Sequence, residues 1–365
     1  MRYVICILLL LITTLVNPTI GQADPGVSAN NAILIEQTTG RVLFEKKAHE
    51  QQPVASITKI MTAIVAIESG KMNETATVSK RAVYTEGSSI YLEQGEKMKV
   101  EDLVYGLMLR SGNDSAVAIS EHIGGSVEGF IYLMNEKARW LGMTNTNFTN
   151  PHGLHSDDHY STAYDMGLLM QYAMENDLFK KITGTTSFKS DDRAYAWQNK
   201  NRLLTSLYKY CIGGKTGFTR RAGRTLVTAA HKNDMDLIAV TLNASDDWND
   251  HINLYEWAYD TYDMQKLTDE EKNRYKLGDT EQNVTGYFHN ELLFPLHEGE
   301  VQQLNKKSFL YKESIDSDDV IGKTVFYIGP KAITDTTIFS TKKPSPKVSF
   351  FSEVINLYKQ IIRVE

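Results

Sequence analysis

Strand-forming residues in this chain are concentrated at two places far apart, with a long helical stretch between them, and that separation constrains the fold more than any other feature. The first place reads Asn31-Ala-Ile-Leu-Ile-Glu-Gln-Thr-Thr-Gly-Arg-Val-Leu-Phe-Glu-Lys46, two β-rich runs about a Thr-Gly turn. The second comprises residues 225–231 and 237–243, again two runs, about the polar turn Lys232-Asn233-Asp234. Between them apolar residues recur at helical spacing, first at Ile57, Ile60, Met61, Ile64, Val65 and Ile67 with Gly70 as a stop. Residues 101–110, 115–123, 130–141 and 162–176 continue this helical character, and residues 249–264 form a further packing helix. Asn or Asp of Ser111-Gly112-Asn113-Asp114 is placed to cap the helix that starts at 115. A hairpin at each end with helices inserted between is an α+β layout. The charged stretch 268–276 reads as a linker, and the short β runs 282–288, 291–296, 308–312 and 323–328 predict a small all-β domain.

The beginning of the chain carries a different signal. Arg2 precedes an apolar stretch over residues 4–16, followed by Pro18 and by small residues at Gly21 and Ala23. This is the pattern of a secretory signal peptide, residues 1–23, and the apolar stretch is shorter than the roughly 20 residues needed to span a membrane. Cleavage removes Cys6, so the exported protein is expected to hold only Cys211 and no internal disulfide. The formal charge of −6, with no long Lys/Arg run, argues against nucleic acid as the main partner, because phosphate binding needs a concentrated positive footprint.

Three short motifs carry chemistry. Ser56-Ile57-Thr58-Lys59 places a hydroxyl and an amine three residues apart at the start of an apolar helix, so both project from one face. A serine needs a base to become a nucleophile, and a desolvated lysine supplies one when burial or a neighbouring cation lowers its pKa. Ser111-Gly112-Asn113 lies on a loop between helices, and Lys215-Thr216-Gly217 follows Gly213-Gly214 into a strand, where a ligand can lie alongside. Taken singly each has an ordinary structural explanation, a helix cap for the serines and an edge-strand lysine for the third. Two further Ser-x-x-Lys matches, at 206–209 and 340–343, open no apolar helix.

The combination is more specific. Ser-x-x-Lys, Ser-x-Asn and Lys-Thr-Gly occur in the order and secondary structure of penicillin-binding proteins and class A β-lactamases. Further matching segments are Ala32-Ile33-Leu34-Ile35, Gly87-Ser88-Ser89, Leu141-Gly142-Met143 and Asn150-Pro151-His152-Gly153-Leu154. On these residues the chain resembles the low-molecular-mass penicillin-binding proteins, the D-alanyl-D-alanine carboxypeptidases of serine peptidase family S11, over roughly residues 30 to 265.

The resemblance implies a β-lactamase/transpeptidase-like catalytic domain at 24–267, an antiparallel sheet with helices on both faces and a helical insert. A small β-rich domain at 277–345 and an amphipathic helix at 348–363 follow. It implies Ser56 as nucleophile, Lys59 as its base and Ser111 as proton relay. Substrate contacts fall to Asn113, Lys215, Thr216, Gly217 and Phe218, with the backbone N–H groups of Ser56 and Phe218 as oxyanion hole. The implied substrate is a peptidoglycan stem peptide ending in D-Ala-D-Ala, with β-lactams as covalent inhibitors, no cofactor or metal, and action outside the cytoplasm. The related alternatives are a β-lactamase, a D,D-endopeptidase and a non-catalytic β-lactam-sensing wall-binding module. A Glu-x-x-Leu-Asn segment of the class A β-lactamase kind is absent between the second and third motifs, and no motif residue is missing.

Three features stand beside the motifs. Arg220, Arg221 and Arg224 form either a positive patch for an anionic terminus or a solvated turn. His152, His155 and His159 have zinc-like spacing, but no His-Glu-x-x-His helix accompanies them and the segment resembles a metal-free family loop. Phe350, Phe351, Val354, Ile355, Leu357, Tyr358, Ile361 and Ile362 share one helical face, and the resemblance favours membrane-surface contact over packing on the tail domain.

Overall fold

A computed structural model describes residues 25–191, 193–268, 272–276, 283–311 and 320–341. The expected signal peptide with Cys6 and the expected amphipathic helix at 348–363 lie outside the described residues. The chain divides into two compact units. Of the described residues, those in 25–35, 42–230 and 237–257 form the first, and those in 36–41, 231–236 and 258–341 form the second.

In the first unit the two hairpins meet in one five-stranded sheet. Strands β1 (Asn31–Glu36) and β2 (Val42–Lys46) pair antiparallel, and later in the chain come β3 (Cys211–Thr219), β4 (Gly223–Lys232) and β5 (Met235–Ala244). The strand order is β2-β1-β5-β4-β3, which places the Lys-Thr-Gly strand β3 at an edge. Asn233 and Asp234 both adopt positive φ, 52° and 60°, the backbone that a tight turn twisted like its strands requires.

The α-helices of six or more residues between the hairpins are α1 (Lys59–Glu68), α2 (Val100–Tyr105), α3 (Asn113–Gly124), α4 (Val127–Trp140), α5 (Ala163–Ala173) and α6 (Asp177–Thr183). Residues 59–67 of α1 are all buried, the expected state of a helix that is apolar on every side. Ile33 and Ile35 of β1 and Val227 and Ala229 of β4 enter one core with Met166 and Leu169 of α5. The alternate residues face the other way. Thr228 meets His251 and Tyr255 of helix α7 (Asp247–Thr261), with hydroxyl contacts of 2.7 Å to each. Helices therefore cover both faces of the sheet, as the fold class requires.

Two of the differences from the sequence reading lie at the expected packing helix and linker. Helix α7 ends at Thr261, and Met264 belongs to strand β6 (Asp263–Lys266), which pairs with β9 (Leu293–Leu296). The charged stretch expected as a linker contains strand β7 (Asn273–Lys276), paired with β8 (Asn283–Gly286). Its charges hid the strand because backbone pairing tolerates polar side chains where neither face is deeply buried. The second unit is completed by a three-stranded sheet of β10 (Leu304–Leu310), β11 (Val320–Ile328) and β12 (Lys331–Phe339). Its small core holds Leu267, Phe294, Leu296 and Phe326.

Candidate active site

The nucleophile candidate sits on a strained step. Ala55 has φ 50° and leads into a short 3-10 turn, Ala55–Thr58, from which α1 continues at Lys59. Left-handed backbone at a residue with a Cβ costs on the order of 1–3 kcal/mol and persists where the surroundings over-determine it. Here they do, because the Thr225 hydroxyl donates to the Val54 carbonyl at 3.0 Å and β3 packs on the turn.

Lys59 is completely buried, and its Nζ lies 3.0 Å from Ser56 Oγ. The same amine donates to Asn113 Oδ1 at 2.7 Å and to the His152 carbonyl at 2.6 Å. Burial pushes its pKa well below the ordinary lysine value, and the positive charge of Lys215 pushes it further in the same direction.

Ser111 follows a π-helical turn, Gly106–Arg110, in left-handed backbone at φ 64°. Lys215 Nζ donates to Ser111 Oγ at 3.1 Å and to the Thr216 carbonyl at 2.7 Å. Lys215 is also buried, and desolvation with the nearby Lys200 charge lowers its pKa to about 7. All three motifs thus converge, Ser56 with Lys59, Lys59 with Asn113, and Ser111 with Lys215.

Gly217 shows how closely β3 approaches the nucleophile. A Cβ at that position would lie 2.9 Å from the Ser56 nitrogen and 3.1 Å from the Ile57 nitrogen. Only a residue without a side chain keeps that space open. The Phe218 side chain, by contrast, is 67% exposed.

The expected capping of α3 by Asn113 or Asp114 does not occur. Gly112 occupies the cap position and no side chain bonds there. Both residues are instead drawn to the segment 86–92. Asn113 N–H donates to the Ser88 carbonyl at 2.7 Å, and its side-chain amide donates to the Glu86 carbonyl at 2.5 Å. Asp114 accepts from Ser89 Oγ at 2.5 Å and from the backbone N–H groups of Ile90 and Leu92. A buried carboxylate satisfies several orphan donors at once, which outweighs one cap bond. Gly87, at φ 96°, abuts the Asn113 amide with no room for a Cβ.

The remaining sequence candidates have structural roles. Arg224 pairs with Asp247, so it is not a free cation beside the site, while Arg220 and Arg221 are exposed. The rings of His152 and His159 are already engaged. Leu154 N–H donates to His152 Nδ1 at 3.2 Å, and Thr149 N–H donates to His159 Nδ1 at 3.1 Å while Thr58 Oγ1 lies 2.8 Å from its Nε2. Burial first, and the Lys59 charge next, lower His152 to about 3 and His159 to about 4. Cys211 is a buried thiol, and desolvation raises its pKa to about 11. Sequence reasoning passed over Lys200, whose Nζ donates to Ser88 Oγ at 3.2 Å, and gave the backbone carbonyl of His152 no role. The quoted segments Gly87-Ser88-Ser89 and Asn150-Pro151-His152 pointed to the right loops but not to these contacts.

The family profile described as D-alanyl-D-alanine carboxypeptidase, peptidase S11, matches residues 18–246. The chain belongs to the S11 carboxypeptidase family. Among its S11 relatives, the D-alanyl-D-alanine carboxypeptidase DacF of Bacillus subtilis is 40% identical over 225 residues, 60% of this chain and 58% of that protein. DacC of Escherichia coli is 37% identical over 249 residues, 64% of this chain and 62% of that protein. The chain therefore matches less than two thirds of the length of these curated S11 proteins. The crystal structure of penicillin binding protein 5 from Haemophilus influenzae superposes with a TM-score of 0.74 at 27% identity, covering 87% of this chain and 98% of that one. That likeness agrees with the S11 fold, a mixed α and β catalytic unit followed by a β-rich tail.

Proposed function

We propose that the protein is a serine D-alanyl-D-alanine carboxypeptidase that removes the terminal D-alanine from peptidoglycan stem pentapeptides. The observation that carries this reading is the hydrogen-bond arithmetic at Lys59. A neutral amine has two N–H bonds and one lone pair. The oxygens of Asn113 and His152 take the N–H bonds at 2.7 and 2.6 Å, which leaves the lone pair for the Ser56 hydroxyl proton at 3.0 Å.

Ser56 Oγ attacks the carbonyl carbon of the penultimate D-alanine as its proton passes to Lys59. The oxyanion forms against the backbone N–H groups of Ser56 and Phe218, donors worth about 3 kcal/mol each in other serine enzymes. Ser111 relays a proton to the leaving nitrogen, the C–N bond breaks, and D-alanine departs. Water then hydrolyses the Ser56 ester. Asn113 holds the acyl-side amide, while Lys215 and Thr216 hold the terminal carboxylate along the open edge beside Gly217. A β-lactam presents the same reactive amide in a ring and forms the same kind of ester.

In this reading residues 1–23 direct export and 24–267 are the catalytic domain. Residues 277–345 form an accessory β domain, and 348–363 touch the membrane surface, so the enzyme works outside the cytoplasm. The apolar run at 4–16 and the one-sided apolar pattern at the C-terminus support this placement. Among the described residues no helix is long and apolar enough to cross a membrane.

Release of D-alanine from a pentapeptide ending in D-Ala-D-Ala, in wild type and Ser56→Ala, tests the reading alongside covalent penicillin labelling. Wild type should release D-alanine and bind penicillin covalently, and Ser56→Ala should do neither. Rapid multiple-turnover penicillin hydrolysis without D-alanine release would assign a β-lactamase instead, and labelling that survives Ser56→Ala would assign a different nucleophile.

A further inference from the structure

Arg110 and Lys200 line a cavity of about 510 Å³ together with Ser88, Tyr91, Trp197 and Gln198. Among the described residues each cation donates to a neutral partner. Arg110 Nη1 donates to the Gln198 carbonyl at 3.2 Å, and Lys200 Nζ donates to Ser88 Oγ at 3.2 Å. Among the described residues neither has a carboxylate within ion-pair distance, although other arginines do, Arg81 with Glu128 at 3.0 Å and Arg193 with Glu96 at 2.8 Å. Burial and the Arg110 charge together make the Lys200 proton easier to lose. Two like charges that line one cavity with no counterion among the described residues are complementary to an anion.

The cavity adjoins the active site. Arg110 directly precedes Ser111, and the Glu86 and Ser88 carbonyls that fix Asn113 belong to the segment that forms one wall. The Lys200 charge acts on both Lys59 and Lys215.

We infer that this cavity is a subsite for a second carboxylate of the substrate, one located upstream of the scissile bond. The inference rests on the carboxypeptidase reading. An exopeptidase releases a single residue, whose carboxylate belongs to Lys215, so any other anionic group on the substrate lies on the acyl side. A guanidinium fork beside an ammonium suits a carboxylate, with Arg110 giving paired hydrogen bonds and Lys200 a point charge. The protein thereby selects acidic stem peptides over amidated ones.

The test compares two pentapeptides ending in D-Ala-D-Ala that differ only in one upstream side-chain carboxylate, free or amidated. D-alanine release gives kcat/KM for full-length wild type, Arg110→Gln, Lys200→Met and Lys200→Glu. Wild type should favour the free carboxylate by about tenfold, mainly through KM and less at high salt. Arg110→Gln and Lys200→Met should each bring the ratio toward one, and Lys200→Glu should reverse it. Equal rates in wild type, or a preference that survives both substitutions, overturns the inference. So does a Lys200→Met effect of equal size on both peptides, which would place Lys200 on the C-terminal carboxylate. Calorimetric titration of the two peptides into Ser56→Ala reads the same preference from binding. It separates the subsite from the chemistry, because failure of D-alanine release with both peptides would count against the carboxypeptidase reading alone.

Discussion

Lys215 Nζ donates to Ser111 Oγ at 3.1 Å, and the charge it carries is the strongest electrostatic influence on Lys59 after burial. Two ammonium groups cannot both stay charged in so small a desolvated space. In the proposed reading the proton rests on Lys215, and Lys59 is left free to act as the base.

That division sets the pH profile. Lys215, lowered to about 7, keeps its charge below that pH and loses it above. Activity that needs charged Lys215 and neutral Lys59 should therefore fall as pH rises through about 7. Arginine stays protonated throughout. In Lys215→Arg the alkaline limb of kcat/KM should move up by a unit or more even if its height drops. A limb that stays in place would belong to some other group.

Gly217→Ala should slow acylation and also lower stability, because the added Cβ would collide with the Thr225 hydroxyl that holds the Val54 carbonyl. The added Cβ would also press on the Ser56 and Ile57 nitrogens, where one of the proposed oxyanion donors lies. Loss of one such donor costs about 10²–10³ in rate. Stopped-flow penicillin acylation measures it, and a loss below tenfold would show that the strand accommodates the methyl.

Asp114→Ala should destabilise the fold by about 2 kcal/mol or more, because it leaves the Ile90 and Leu92 amides without their acceptor. Urea unfolding checks the stability. Acylation should slow as well, since the segment 86–92 also positions Asn113. Stability loss with unchanged acylation would show that Asn113 is held independently.

Acid should unfold the protein through its buried histidines. His251, between Thr228 and Thr241, is lowered to about 3 by burial, with His152 at about 3 and His159 at about 4. Each lies below the unfolded value, so the unfolded chain binds more protons as pH falls from about 6.5 toward these values. Their stabilising effect is complete above 6.5 and declines below it by about 1.4 kcal/mol per pH unit for each histidine. His159→Gln should reduce the measured slope by one proton.

Cys211 should resist alkylation in the native protein and react once the chain is denatured, because its buried thiol titrates only near 11. Mass spectrometry of the Cys211 peptide before and after denaturation distinguishes the two states. Fast native labelling would mean that the neighbourhood of β3 opens.

Much of the first unit was legible. Alternating apolar residues with turn chemistry at Thr39-Gly40 and Asn233-Asp234 mark the two hairpins, and the period of α1 marks the helix that carries Lys59. The capping of α3 was misread because a sequence shows that Asp114 can accept hydrogen bonds but not which donors come near. The strand at 273–276 was missed because its charged residues carry no apolar alternation.

The sequence by itself determined what depends on nearby positions. Ser56 and Lys59 share a helix face because they are three residues apart, and the order of the three motifs identifies the family. Only the tertiary structure decided which groups meet across long separations. Lys215 reaches Ser111 from 104 residues away, and Arg110 and Lys200 come together with no acid between them among the described residues. Desolvation and Coulomb forces depend on ångström distances in space rather than on spacing along the chain. The lowered pKa values and the unneutralised cations therefore emerge only when the chain has folded.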